Sequence, residues 1–310
     1  MSKLAEKINI GAVALDSRVF LAPMAGYTDL ALRTLAAEAG AAMTVTEMVS
    51  ARGLLHSGGK SAELLRVSPA EKVKCAQLFG SDPADFYEVI KNTDYLSAFD
   101  VIDINMGCPV PKIVRNGEGS ALMLDPEKAE KIVAACVKAT DKPITVKTRT
   151  GFNEGDFTAV EFCRRMQGAG AAAITLHGRT RALGYAGESD YRQIETVKNA
   201  LSVPLFGSGD VTADNAETLV SFCDGLAIGR GAVGDPWIFA RILGKSENPA
   251  PKETLIRHIG LLEKYYGERY ALVNARKYYG KYISGHKELK VKLMQAADLS
   301  SVRALILENL

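Results

Sequence analysis

The chain has 310 residues, 47% of them hydrophobic and 24% charged, with a formal net charge of +2. That composition is ordinary for a soluble globular protein with a core of normal size. No apolar run approaches the roughly 18 residues of a membrane span, the polar N-terminus lacks the apolar segment of a signal peptide, and five cysteines with no CxxC pair argue against a disulfide framework or a zinc site. The expectation is a protein of the reducing cytoplasm, without metal or membrane contact and, by default, monomeric.

Over the first 245 residues, short β-branched apolar runs alternate with longer amphipathic stretches. The runs at 19–22, 43–46, 73–79, 101–105, 144–148, 173–177, 205–207 and 225–229 read as strands. The stretches at 29–39, 83–92, 126–139, 157–167, 191–200 and 213–221 read as helices. Asp125 before Pro126 is an N-cap followed by a first-turn proline, and Thr212 is placed to cap a helix from Ala213. Eight such alternations fit a (β/α)8 TIM barrel. A doubly wound sheet is the alternative, but Gly26 after the first strand stands alone where that fold carries a glycine-rich fingerprint. Beyond a polar, Pro-containing linker at 245–251 only helical periods remain, at 252–266, 271–284, 288–296 and 300–308. Two domains are expected: a catalytic barrel over 1–245 and a small all-helical domain over 246–310.

Charge is spread unevenly. Residues 251–310 hold 11 basic and 6 acidic residues, and the remainder 27 and 30. A basic tail on a mildly acidic body fits a polyanionic partner or a solvated helical face. Six of the 11 tyrosines fall between Tyr265 and Tyr282, interleaved with Arg269, Arg276, Lys277 and Lys281; cations among aromatics suit a phosphate backbone with exposed bases.

Chemistry is expected at the C-terminal ends of the barrel strands. Pro23, Met24, Ala25 and Gly26 after the first strand allow close backbone approach to a flat ligand. Gln77 is polar in an otherwise apolar strand. The run 101–105 ends in Asn105-Met106-Gly107-Cys108-Pro109, which puts Cys108 on a loop as a nucleophile, a proton donor or a spectator. Lys147, inside a barrel strand, calls for an anion or an electron-rich ligand. His177 is followed by Arg179 and Arg181. The glycine-rich segments Gly207-Ser208-Gly209-Asp210 and Gly229-Arg230-Gly231 follow strands seven and eight, where this fold places a phosphate cradle. A phosphorylated flavin fits the set, with Lys147 able to stabilise the reduced, anionic ring.

These motifs, in this order, resemble the tRNA-dihydrouridine synthases, and within them the bacterial subfamily lettered B. The carriers are Ala22-Pro23-Met24-Ala25-Gly26, Asn105-Met106-Gly107-Cys108-Pro109 with Lys112 and the 117–122 stretch, Lys147-Thr148-Arg149-Thr150-Gly151, His177-Gly178-Arg179-Thr180, the two glycine segments, and Asn274-Ala275-Arg276-Lys277 in the tail. The resemblance implies an FMN-containing barrel that reduces the C5=C6 bond of uridine in tRNA, with NADPH as reductant. It implies Cys108 as general acid to C5. Pro23, Met24, Ala25, Gln77, Lys147 and His177 would contact flavin, and Ser208, Gly209, Asp210, Gly229 and Arg230 its phosphate. Asn105, Arg149, Arg179, Arg276 and Lys277 would contact RNA. Ser208 stands where the family commonly has Asn, and Tyr278 where it usually has His. An acid role needs Cys108 to stay a thiol, although neighbouring Lys and Arg act to lower its pKa. A flavin barrel acting on a free pyrimidine has no need of the basic tail, and a non-catalytic RNA chaperone has no need of Cys108 or Lys147.

Overall fold

The computed structural model describes residues 2–57, 59–246 and 248–310; Met1 and the linker's Glu247 lie outside them. Eight parallel strands form the barrel: β1 Val19–Leu21, β2 Thr44–Val45, β3 Lys74–Phe79, β4 Val101–Asn105, β5 Ile144–Arg149, β6 Ala173–His177, β7 Leu205–Ser208 and β8 Gly225–Ile228. Each pairs with the next. β8 pairs with β1 (Leu226 opposite Val19), and β2 with β3 (Thr44 opposite Lys74), so the sheet closes on itself. Closure makes this a TIM barrel and rules out the doubly wound alternative. All eight strands lie within a residue or two of where the sequence puts them.

Strand alternation divides the residues between two apolar cores. Ile102, Ile104, Val146, Ile174 and Leu176 face outward onto the helices. Phe20, Val45, Cys75, Val101, Ala173, Phe206 and Ala227 face inward. The inward set is completed by Ile10 and Leu15 of an antiparallel hairpin, Ile8–Ile10 with Val13–Leu15, which the sequence reading missed. Its Gly11, at φ 56°, lies against Pro143 and Ala172 at the N-terminal ends of β5 and β6. Higher in the barrel the inward positions become polar: Gln77, Asp103, Asn105, Lys147 and His177, all near the C-terminal ends.

Helices Pro83–Asn92 and Pro126–Ala139 match the sequence, and Asp125 caps the latter through the Lys128 N–H at 3.1 Å. The helix expected from Ala213 instead starts at Ala216. Thr212 and Asn215 bond reciprocally, at 2.8 and 3.3 Å, in a turn that delays it. Helices Ala51–Ser57, Gly59–Glu63 and Pro111–Arg115 were not anticipated.

The tail holds helices Pro251–Tyr266, Glu268–Asn274, Arg276–Tyr282, Lys287–Gln295 and Leu299–Asn309. The stretch expected as one helix over 271–284 starts directly after Gly267 (φ 86°) and is interrupted at Ala275. Helix Pro251–Tyr266 lies on Leu30–Glu38 of the barrel: Tyr266 Oη accepts the Leu30 N–H at 3.0 Å and Arg257 pairs with Glu38 at 2.5 Å. The tail tyrosines contribute to packing to different degrees. Tyr278, Tyr279 and Tyr282 are buried, and Tyr265, Tyr266 and Tyr270 half-buried. Rings of this size give a small helical segment most of its apolar area. No helix among the described residues is long and apolar enough to cross a membrane.

Candidate active site

Two adjoining cavities of about 440 and 400 Å3 open at the C-terminal mouth of the barrel. They share Pro23, Met24, Lys147, Arg149 and Arg230. The first reaches His177, Ser208, Gly209, Asp210 and Gly229; the second reaches Ala25, Gln77, Asn105 and Cys108.

Below Cys108 runs a ladder of side chains. Thr145 Oγ1 donates to Asp103 Oδ1 at 2.6 Å, and Gln77 Nε2 to Asp103 Oδ2 at 2.7 Å. Asn105 Nδ2 donates to Gln77 Oε1 at 2.9 Å, while Asn105 Oδ1 accepts the backbone N–H groups of Gly107 at 3.2 Å and Cys108 at 2.9 Å. Gly107 lies so close to the Thr148 backbone that a Cβ would sit at 3.3 Å. On the other side Ser120 donates to the Cys108 carbonyl through Oγ at 2.9 Å and N–H at 3.2 Å. The cysteine is therefore anchored through its backbone. Cys75, Cys136, Cys163 and Cys223 are buried, and only Cys108 is half-open. Burial pushes its thiol pKa up, against the Val110 N–H and the charges of Arg149 and Lys147. Desolvation outweighs the neighbouring cations, so the thiol stays protonated at neutral pH. Asp103 had no place among the expected site residues, although an acid inside an apolar strand is legible. Burial raises its pKa, opposed by the bonds from Gln77 and Thr145 and by Lys147.

Burial, then Arg149, lowers the pKa of Lys147 to about 8, with Asp103 and Cys108 opposing. Arg149 donates to the carbonyls of Gly107 (2.8 Å), Thr180 (3.0 Å) and Gly184 (2.9 Å). His177 is held neutral by burial first and by the surrounding cations second, and its buried Nδ1 has no partner. Above it stands Tyr185, 60% exposed, 4.8 Å from the Arg230 guanidinium and 5.8 Å from that of Arg149. Tyr185 also escaped the sequence reading, because nothing in a glycine-flanked loop says where an aromatic ring will project.

The loop after β7 turns through Gly209 at φ 114° and Asp210 at φ 52°. The Asp210 carboxylate bonds Arg179, the Ser189 N–H (3.0 Å) and Arg230 (2.9 Å). It orients two arginines at the edge of the first cavity, which Asp210 lines. Arg179, expected at the RNA, is buried, donates to the Ala186 and Gly187 carbonyls and lines neither cavity. Arg276 and Lys277 also lie away from the cavities; Lys277 pairs with Asp29 at 3.4 Å and sits over the rings of Tyr27 and Tyr278.

The family model described as dihydrouridine synthase matches residues 20–309. The chain belongs to that family. It is similar to the tRNA-dihydrouridine synthase B of Pseudomonas aeruginosa, with 36% identity over 306 residues that cover 94% of this chain and 92% of that one. It is also similar to a probable tRNA-dihydrouridine synthase of Rhizobium leguminosarum bv. phaseoli, with 38% identity over 277 residues, 87% and 86% of the two chains. Among solved structures it shares its fold with morphinone reductase (TM-score 0.59, 13% identity, 82% of this chain and 92% of that one). It shares it too with histamine dehydrogenase from Rhizobium sp. 4-9 (TM-score 0.60, 14% identity, 83% and 51%). Family membership and the barrel thus agree with the motifs that suggested both.

Proposed function

We propose that the protein reduces the C5=C6 bond of uridine in tRNA to 5,6-dihydrouridine, with FMN as its cofactor and NADPH as reductant. The observation that carries this reading is Cys108: a half-open thiol, anchored by Asn105, on the wall of the cavity that also contains Lys147. Reduction of an isolated pyrimidine double bond takes a hydride at one carbon and a proton at the next, and a thiol that keeps its proton at neutral pH is suited to give it.

The residues present fit a phosphorylated flavin. His177 Nδ1 is a buried polar atom without a partner, and His177, Gly209 and Gly229 line the first cavity, where the glycines offer backbone to an anion. In this reading Pro23, Met24, Ala25, Gln77, Lys147 and His177 hold the ring, and Ser208, Gly209, Gly229 and Arg230 the phosphate. The bound flavin supplies the hydride. Lys147 places a cation where negative charge develops, and Arg149 and Tyr185 form the wall against the incoming base. Cys108 Sγ–H gives its proton to C5, and Asn105 fixes the turn from which it does so. The helical segment 246–310 holds the RNA outside the barrel.

Mass spectrometry of tRNA from cells with and without the gene tests the reading. The expected result is loss of uridines heavier by two hydrogens in the deletion strain and their return with the wild-type gene. An unchanged dihydrouridine map overturns it.

A further inference from the structure

Among the described residues, one side chain of the tail lines both cavities: Lys281. It lies on helix Arg276–Tyr282, which Tyr278 fastens to the barrel through the Tyr27 carbonyl (2.9 Å) and Asp29 (3.0 Å). The backbones touch at Gly234. There φ is 83° and a Cβ would overlap the Cβ of Lys281 and come within 2.9 Å of its carbonyl carbon. That close approach sets the base of Lys281 on the rim of the mouth.

Of the other cations that line both cavities, Lys147 lies inside the barrel where the proposed function puts the flavin, Arg149 is spent on three carbonyls and Arg230 on Asp210. Lys281 is exposed, and among the described residues its side chain makes no hydrogen bond or ion pair. A compact ammonium on a flexible stem, without a partner, suits an anion that arrives with the substrate.

We propose that Lys281 binds an RNA phosphodiester next to the target nucleotide, making it the point at which the tail reads substrate directly at the catalytic mouth. The inference rests on the proposed action on tRNA and adds a residue to it. A base that enters far enough to bring C5 to Cys108 carries its flanking phosphates to the rim, where Lys281 waits. The tail thereby senses whether a nucleotide has entered the barrel, as well as whether RNA is bound outside it.

The test uses Lys281→Gln and Lys281→Arg in the full flavin-loaded protein. Equilibrium binding of unmodified tRNA is titrated over a series of salt concentrations, and steady-state uridine reduction is measured alongside. For Lys281→Gln the expected results are a rise in KM of about twofold to fivefold, on the order of one exposed ionic contact, and a binding slope in log Kd against log salt shallower by about 0.7. Lys281→Arg keeps the wild-type slope. An unchanged slope and KM in Lys281→Gln overturns the proposal. So does loss of bound FMN with an unchanged RNA slope, which would assign Lys281 to the cofactor phosphate. Binding is read without turnover. A wild-type protein that binds tRNA but reduces no uridine therefore fails the proposed function, while the slope still decides on Lys281.

Discussion

Asn105 accepts the backbone N–H of Cys108 at 2.9 Å while donating to Gln77 at 2.9 Å, so the last residue of β4 ties the reactive loop to the barrel interior. The amide that the resemblance put in contact with RNA has its carbonyl oxygen engaged in shaping the turn. Asn105→Ala is expected to lower kcat for uridine reduction by about tenfold or more through misplacement of the thiol. Single-turnover reduction of tRNA measures this directly; a change confined to KM would return Asn105 to base binding alone.

Cys108→Ala is expected to keep its flavin but to lose about 10²–10⁴-fold in uridine reduction, the usual loss when a general acid is removed. Because burial raises the pKa of this thiol, the wild-type rate should show an alkaline fall where the thiol ionises, separate from any that follows the titration of Lys147. That alkaline limb should be absent from the residual activity of Cys108→Ala.

Lys147, with its pKa lowered to about 8, makes a second pH statement. Its folded value lies below the unfolded one. The unfolded chain therefore holds more protons between the two, and stability contributed by this group rises with pH across that window. Below pH 8 the buried cation is a standing cost. Lys147→Met should raise the stability of flavin-free protein at pH 7 by about 1–3 kcal/mol, and its advantage should shrink as pH rises toward 10. The same variant should be reduced more slowly by NADPH. Denaturant titrations at several pH values check the first, and stopped-flow absorbance the second.

Asp29 is buried, caps helix Leu30–Glu38 through the Leu32 N–H at 3.0 Å, and accepts from Lys277 and Tyr278 of the tail. Asp29→Ala removes the cap and leaves Lys277 without its carboxylate. A loss of about 2–4 kcal/mol is expected, readable as a lower urea midpoint. A loss under about 0.5 kcal/mol would show that the tail is held by its apolar contacts alone.

The eight strands were legible because a strand buried on both faces is rich in apolar, β-branched residues, as Val101, Ile102 and Ile104 are in β4. The hairpin Ile8–Leu15 was not, since two three-residue strands give too short a period to register. The tail's tyrosines were visible and their role was not. Spacing tells which residues share a helix face, and only the fold tells whether that face meets Leu30–Glu38 or water. Lys281 entered the reading as surface charge. Its place at the mouth depends on Gly234, some fifty positions away, and no local pattern encodes such a meeting.

The hairpin at the bottom of the barrel has a kinetic corollary. With Ile10 and Leu15 filling that end, the two cavities at the C-terminal mouth are what the proposed reductant and RNA would share, one after the other. Each is then an obstacle to the other. At fixed enzyme, excess NADPH should inhibit competitively against tRNA, and double-reciprocal plots for the two substrates should run parallel.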